Sequence, residues 1–547
     1  MRGPHAVRGV EWWRDVMESG TEPTGTDEAA ADGGDGARPA STPSRATFEV
    51  HNPADGSLIS TVPIDGPDQV RAAVARVRAA QPEWEAMGPA GRYRWLGRWR
   101  DWMLANSRTI ADVMEAETGK VRNDAALEAP WLADTINFYG ERAARFLADQ
   151  QVSAHNPLLK VKALKVVYRP HPVVGVIAPW NFPLLLAGGD AIPALAAGCA
   201  VVIKPSEVTP LSLLELVRGW TDEVGGPSVI EVATGLGETG SALVDEVDYV
   251  HFTGSVATGK RVMARAAETL TPVSLELGGK DPLIVLDDAD PERAANGAAW
   301  GGLANSGQIC VSVERVYATE PVYDRFLAAL TKRVSGLRQG ADRPAYTHEL
   351  GAMTTPAQLE IVEDHVRDAV ERGATVLCGG KRRDGAGDYF EPTVLTGVDH
   401  SMRIMQEETF GPVIPVMKVR DEDEAVRLAN DSEYGLSASV FGERDHAEAV
   451  ARRLESGAAN VNDVLVNYLA LDVPMGGWKD SGIGTRWGAE GIRKYCRTES
   501  IVVTRFARAK AEPMWFPYSP GKGRILGAIS RFVNARGLRG RLRALRR

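Results

Sequence analysis

Cysteine is scarce in this chain. Its 547 residues hold four, Cys199, Cys310, Cys378 and Cys496, with neither paired nor metal-ligand spacing. They read as reduced thiols in a cytosol-like compartment, which excludes a disulfide framework. No His/Asp cluster has the spacing of a metal site, so no metal is expected; His171 and His251, flanked by apolar sequence, read as structural. A basic field is also missing. The net charge of -9 gives nucleic acid nothing to bind. Residues 1–20 lack an apolar core segment, so no secretory signal is expected. The longest apolar stretch, Val173 to Ile203, is broken by Pro179, Pro183 and Pro193 and carries Asn181 and Asp190. That is too many interruptions for a membrane span. It reads instead as buried strand, loop, helix and strand.

What remains is an ordinary globular composition, 44% hydrophobic and 25% charged, long enough for two to four domains. Residues 21–45, rich in Gly, Ala, Asp, Ser, Thr and Pro, predict a disordered leader. Residues 67–150 are helical in pattern, with one helix starting at Pro67-Asp68 and others near 89–117 and 122–147. From residue 165, short apolar strands alternate with helices: strands at 173–178, 200–203, 229–233, 249–252 and 273–277. That alternation predicts a doubly wound parallel sheet buried on both faces. Residues 281–475 repeat the alternation and predict a second α/β domain.

The polar residues are placed tellingly. Asn181, Lys204, Glu207, Ser255 and Glu276 all fall at or just beyond the carboxyl ends of the predicted strands. In open α/β sheets that edge binds ligands. Two glycine loops compete for a phosphate. Gly235-Leu236-Gly237-Glu238-Thr239-Gly240 fits G-x-G-x-x-G but lacks the acid expected after the next strand. Phe252-Thr253-Gly254-Ser255 opens a helix, whose first N–H groups suit a pyrophosphate. Pattern alone does not choose between them. Cys310 ends the polar turn Asn305-Ser306-Gly307-Gln308-Ile309 and precedes the apolar run Val311, Val313 and Val316. A lone cysteine is more often a small buried hydrophobe; a thiol braced on a loop is the functional alternative.

Seven stretches, in order across about residues 46–510, resemble the aldehyde dehydrogenase superfamily. They are Pro179-Trp180-Asn181-Phe182-Pro183, Lys204-Pro205-Ser206-Glu207, Phe252-Thr253-Gly254-Ser255 and Leu275-Glu276-Leu277-Gly278-Gly279-Lys280, then Gly307-Gln308-Ile309-Cys310, Glu407-Glu408-Thr409-Phe410-Gly411-Pro412 and Pro474-Met475-Gly476-Gly477. Phe410-Gly411 and Cys310–Arg315 look most like the bacterial succinic-semialdehyde-dehydrogenase-like branch.

The resemblance implies an NAD(P)-dependent oxidation of an aldehyde to a carboxylic acid. The substrate stays open among semialdehyde, aromatic and aliphatic aldehydes. Cys310 would be the nucleophile, its thiolate accessible near neutral pH, and would pass through a thiohemiacetal and a thioester. Asn181 and the Cys310 N–H would hold the oxyanion, and Glu276 would be the base. Cofactor contacts would come from Ala178, Pro179, Trp180, Lys204, Glu207 and Gly235, and from Gly254, Ser255, Leu277, Glu408 and Phe410. The Glu207 carboxylate would repel a 2′-phosphate, which favours NAD, with NADP as the alternative.

The implied domains are a leader at 1–45, a Rossmann-like NAD(P)-binding domain at 46–275, a catalytic domain at 276–475, and a return segment with an oligomerisation arm at 476–512. Residues 150–172 would join that arm, and the protein would be a homodimer or homotetramer. The tail, 513–547, carries nine Lys/Arg and no acid from Lys522 onward, with apolar residues at helical spacing. It reads either as a solvated or oligomer-packed tail or as an amphipathic helix on an anionic membrane. The expected location is cytoplasmic, or peripheral at the inner membrane face. Two rivals stand beside this reading: a CoA-acylating aldehyde dehydrogenase and a non-catalytic membrane-associated relative.

Overall fold

The computed structural model describes residues 45–342, 345–508, 510–512 and 514–545. Apart from Arg45, the leader lies outside the described residues, as do Pro513, Arg546 and Arg547 of the tail. The chain falls into two compact units. One runs to Ala143 and resumes over Pro170–Tyr495; the other joins Ala144–Arg169 to Cys496–Arg547.

Two sheets organise the first unit. The six-stranded sheet runs, edge to edge, Gly482–Ile483, Val273–Glu276, Tyr249–Thr253, Val173–Ile177, Ala200–Lys204 and Ile230–Val232. Its strands pair in parallel except for the antiparallel Gly482–Ile483 edge. From Val173–Ile177 the chain winds outward through Ala200–Lys204 to Ile230–Val232. It then crosses back to Tyr249–Thr253 on the other side. The winding therefore reverses between Val173–Ile177 and Tyr249–Thr253, and such a switch point opens a crevice at the carboxyl edge. Ala178-Pro179-Trp180-Asn181 leaves one of these strands and Gly254-Ser255 leaves the other.

The apolar stretch that opened the membrane question folds as strand Val173–Ile177, helix Pro183–Ala197 and strand Ala200–Lys204, all buried. Among the described residues no helix is long and apolar enough to cross a membrane. Phe182, before that helix, offers no capping side chain. The cap comes from elsewhere: Glu128 accepts the Leu184 and Leu185 N–H groups at 3.0 and 2.8 Å. A carboxylate there satisfies orphan donors and the helix dipole together. Lys120 pairs with it at 2.5 Å, fully buried. Glu117 does the same for helix Leu211–Arg218, accepting the Leu211 and Ser212 N–H groups at 2.6 and 2.9 Å. Asn181 is thus held by a loop whose following helix is anchored at its first turn.

The helix expected over 89–117 is two, Gly88–Ala105 and Ser107–Thr118, because Asn106 leaves helical geometry and its side chain donates to the Trp102 carbonyl. Trp84 and Trp99 are completely buried, packed edge-on against Trp220.

The seven-stranded sheet runs Thr375–Cys378, Thr393–Thr396, Val413–Val419, Val313–Thr319, Asp281–Val285, Ser437–Phe441 and Ala458–Val461. Thr375–Cys378 is its antiparallel edge. Cys310 stands just before Val313–Thr319, at the amino edge of that strand. Glu276 ends Val273–Glu276 in the other sheet. The two therefore meet where the carboxyl edge of one sheet faces the amino edge of the other.

The second unit is a three-stranded sheet, Gln150–Val152, Lys162–Pro170 and Cys496–Thr504, with the middle strand at the centre. Lys162 holds Glu512 at 2.7 Å and Thr504 at 2.8 Å. Helices Pro520–Asn534 and Gly537–Leu545 follow.

Candidate active site

Three consecutive residues before the thiol, Asn305, Ser306 and Gly307, have φ of 49°, 54° and 74°. Left-handed backbone at two non-glycine residues costs energy and persists only where the surroundings hold it. They do. The Gln308 side chain donates to the Asn305 carbonyl and accepts the Thr354 N–H, at 3.0 and 2.9 Å, and Ser306 donates to the Gly351 carbonyl at 2.9 Å. A Cβ on Gly307 would lie 2.1 Å from the Gly411 carbonyl oxygen, so only glycine fits that turn.

The turn brings together the three residues expected to carry the chemistry. The Cys310 thiol donates to Glu276 Oε1 at 3.6 Å. The Asn181 amide donates to the Gln308 carbonyl at 2.9 Å, two residues from the thiol. Burial, with Asp281 and Glu408 close by, pushes the thiol up to about 12. A low-dielectric site disfavours the anion, so the sulfur depends on a base beside it to form the thiolate.

Behind Glu276 lies a charge network that the sequence did not announce. The Arg486 guanidinium contacts the outer carboxylate oxygen of Glu276, and its Nε meets Asp190 at 2.7 Å. Arg486 also donates to Thr253 at 2.7 Å and Tyr468 at 3.2 Å. Asp190 takes Lys494 and the Tyr495 hydroxyl as well, at 2.7 and 2.6 Å. Burial opposes charge on Asp190, but Arg486 and Lys494 outweigh it and hold its carboxyl well below the ordinary range. His251 belongs to this network; burial drops its imidazole to about 3, so it is neutral.

On one side of Cys310 opens a cavity of about 260 Å³. Among the expected cofactor residues, Pro179, Trp180, Gly254, Ser255, Leu277 and Glu408 line it, as does Phe410. Trp180 and Phe410 meet edge-on at 5.5 Å. Ser255 caps helix Val256–Ala267, its hydroxyl accepting the Thr258 N–H at 3.4 Å. The turn carrying Glu408 is fixed from below: buried Lys280 pairs with Glu314 at 2.6 Å, and Glu314 accepts the Thr409 and Phe410 N–H groups, each at 2.8 Å. Glu408 accepts the Gly279 N–H at 3.0 Å. Burial and the neighbouring Glu314 push its carboxyl up to about 8. A Cβ on Gly278 would fall 2.6 Å from the Glu408 carboxylate, so the cradle is open only because glycine is there.

Ala178, Lys204, Glu207 and Gly235 are not part of this cavity wall. Ala178 and Lys204 are joined across neighbouring strands by a 3.0 Å backbone bond. Lys204 donates to the Pro205 carbonyl at 2.8 Å and lies 3.4 Å from half-exposed Glu207. Gly235 packs on Thr239, at φ 149°. The donor set fits a dinucleotide: open N–H groups at a helix start, a buried carboxyl over a glycine cradle, and two aromatic walls.

On the other side of Cys310 is a second cavity, about 120 Å³, that sequence reasoning did not find. Its walls include Trp131, Phe182, Leu185, Trp300, Leu465 and Tyr468. They come from four separated helices and from Phe182 and Leu465, which precede two of them, and no spacing in the sequence links them. Leu465 has φ 62°, a left-handed leucine. Leu186 and Cys310 border both cavities.

A model of the aldehyde dehydrogenase family matches residues 40–501. The chain is 39% identical over 477 residues to 4,4'-diapolycopene aldehyde oxidase of a Methylomonas species, covering 86% of this chain and 88% of that one. It is 39% identical over 460 residues to a putative succinate-semialdehyde dehydrogenase [NADP(+)] of Mycolicibacterium smegmatis, covering 82% and 87%. Among solved structures, the putative aldehyde dehydrogenase PutA from Anabaena variabilis superposes with a TM-score of 0.82 at 38% identity, over 86% of this chain and 100% of its own. With the motif order, the paired sheets and the thiol between them in agreement, this chain belongs to the aldehyde dehydrogenase family.

Proposed function

We propose that the chain oxidises its aldehyde to a carboxylic acid through a covalent bond to Cys310. The supporting observation is the thiol set 3.6 Å from Glu276 where two cavities meet. A thiol held up at about 12 needs a base, and Glu276 is the one in reach. Glu276 takes the proton and the sulfur attacks the carbonyl carbon, giving a thiohemiacetal. The negative charge moves to the carbonyl oxygen. The Cys310 N–H and the second N–H of the Asn181 amide, the first being spent on Gln308, are its donors. NAD or NADP, held by Gly254, Ser255 and Glu408, would supply the acceptor for the hydride whose loss leaves a thioester. Glu276 releases that first proton to solvent and then takes one from water, whose oxygen attacks the thioester carbon; the expelled sulfur takes the proton back from Glu276 and the carboxylic acid leaves. Arg486 holds the second oxygen of Glu276 and fixes its orientation.

Gly254 and Ser255 would hold the pyrophosphate and Glu408 a ribose. Lys204, Glu207 and Gly235 would serve the adenosine end, and the Glu207 carboxylate favours NAD. The relatives named above refer to a diapolycopene aldehyde and to succinate semialdehyde, so the name alone selects no substrate. Water as acceptor is preferred to CoA because a carboxylate already stands beside the sulfur. A turnover that requires CoA would overturn that choice.

Aldehyde-dependent reduction of NAD or NADP, followed by absorbance, tests the reading. Cys310→Ala should lose on the order of 10⁴-fold or more in turnover while cofactor binding persists. Substantial turnover in that variant would sink the mechanism.

For the second unit, the exposed Val502, Val503 and Phe506 support an oligomerisation arm. Met514, Trp515, Phe516 and Tyr518 are exposed beside the basic helices, which supports contact with an anionic bilayer. Pelleting with vesicles containing phosphatidylglycerol should retain the full chain and lose one ending at residue 512. Equal pelleting of both would discard the membrane role.

A further inference from the structure

We infer that the aldehyde entering this site is uncharged and apolar, an alkyl or aryl aldehyde rather than one carrying a carboxylate. The inference rests on Cys310 as nucleophile, since it concerns the cavity through which a carbonyl would reach that sulfur. Among the described residues, sixteen line this cavity, and no Lys, Arg or His is among them. The two charged members are acids, Asp124 and Glu128. Both are already engaged by the protein: Asp124 accepts the Asn305 N–H at 3.0 Å, and Glu128 holds two helix N–H groups and Lys120. A carboxylate-bearing substrate would lose its water, gain no partner and approach two acids.

The apolar character runs the full depth. At the mouth, Leu127, Trp300 and Leu469 are 48%, 49% and 36% exposed. Deeper in, Leu186, Leu465 and Tyr468 fall to 3%, 7% and 5%. Two faces of exposed apolar carbon leading into a buried apolar throat suit a ligand that covers them. Leu465, at the throat, is also held in left-handed backbone. A neighbouring hollow does contain Arg333 and His348, and it shares Asp124, Trp300 and Ala304 with this cavity, but not Cys310. The Arg333 Nε there is engaged by Asn296 at 2.6 Å.

The test compares aldehydes of matched shape. 4-Methylpentanal and 4-oxobutanoate differ in replacing a branched methyl pair by a carboxylate. The expected kcat/KM ratio is about 100-fold or more in favour of 4-methylpentanal, with 3-phenylpropanal and decanal at least as good. Decanal should likewise outrun 10-oxodecanoate, which is long enough to seek the Arg333 hollow. Leu469→Arg, which places a cation at the mouth, should narrow the first ratio by about tenfold or more. A 4-oxobutanoate rate equal to or above that of 4-methylpentanal, a 10-oxodecanoate rate above that of decanal, or a ratio unmoved by Leu469→Arg would each overturn the inference. Reduced cofactor formed from none of these aldehydes would instead refute the underlying reading of Cys310.

Discussion

The two cavities that meet at Cys310 are built from opposite materials. One is edged with a helix N-terminus, a buried carboxyl and glycines that keep side chains away from a ligand. The other is walled by leucine, tryptophan, phenylalanine and tyrosine. A lining that suits a charged, hydrogen-bonding ligand is thereby separated from one that suits an apolar ligand. Cys310 and Leu186 are the boundary between them. The difference also assigns the electrostatics. The acids nearest the sulfur, Glu276, Asp281 and Glu408, are outside the apolar wall.

The strongest way to break this division is to remove charge from the polar side. Glu276→Gln keeps the shape and deletes the base; turnover should fall by about 10²–10⁴-fold. A stopped-flow burst of reduced cofactor would then show whether attack or hydrolysis suffers. Arg486→Met acts on the same carboxylate from behind. It leaves Asp190 and Glu276 buried without their shared cation, and breaking such a pair costs about 3–5 kcal/mol. Urea denaturation should show that loss, and Asp190→Asn added to Arg486→Met should recover part of it. An unchanged midpoint in Arg486→Met would mean the network does not hold the site together.

How much of this was legible beforehand follows from where each residue lies along the chain. Asn181, Glu276 and Cys310 each sit in a short motif at a strand edge, and winding a parallel sheet carries such edges to one place. Gly254, Ser255, Glu408 and Phe410 came with them for the same reason. Lys204, Glu207 and Gly235 share the edge but lie further out along it, so the sheet does not bring them to the sulfur. Arg486 and Asp190 are 296 residues apart, and nothing local marks them as partners. The apolar cavity was illegible for a different reason. Leucine and tryptophan are ordinary core residues in a sequence, and only the helices that leave Trp300 and Leu469 uncovered make them a mouth.

A smaller change sharpens the electrical half of the comparison. Glu408 is pushed up to about 8, above the ordinary carboxylate value, so it is neutral below that pH and anionic above it. Cys310, pushed up to about 12, stays protonated throughout. Alkylation by iodoacetamide follows the thiolate fraction, so its rate should climb about tenfold per pH unit up to 8. Above pH 8 the new charge on Glu408 opposes thiolate formation, and the slope should flatten. Glu408→Gln should remove the bend and leave a straight line. A plateau near pH 8–9 in the wild-type protein would place the thiol at its ordinary value and refute the burial argument.

The mildest effect is expected furthest from the sulfur, at Glu207. Its side chain is 46% exposed and 3.4 Å from Lys204, so water and salt screen its field. Repulsion of a 2′-phosphate by one such carboxylate is therefore modest, about 1–2 kcal/mol, or roughly five- to thirty-fold in relative affinity. Glu207→Ala removes the repelling charge and leaves the ammonium of Lys204 to face the phosphate. The NADP to NAD ratio of kcat/KM should rise by about that factor, and more at low ionic strength than at high. The same variant should leave the ranking of aldehydes untouched, because Glu207 borders neither cavity. A change in aldehyde preference would show that the two recognition surfaces are coupled, and the division at Cys310 would have to be abandoned.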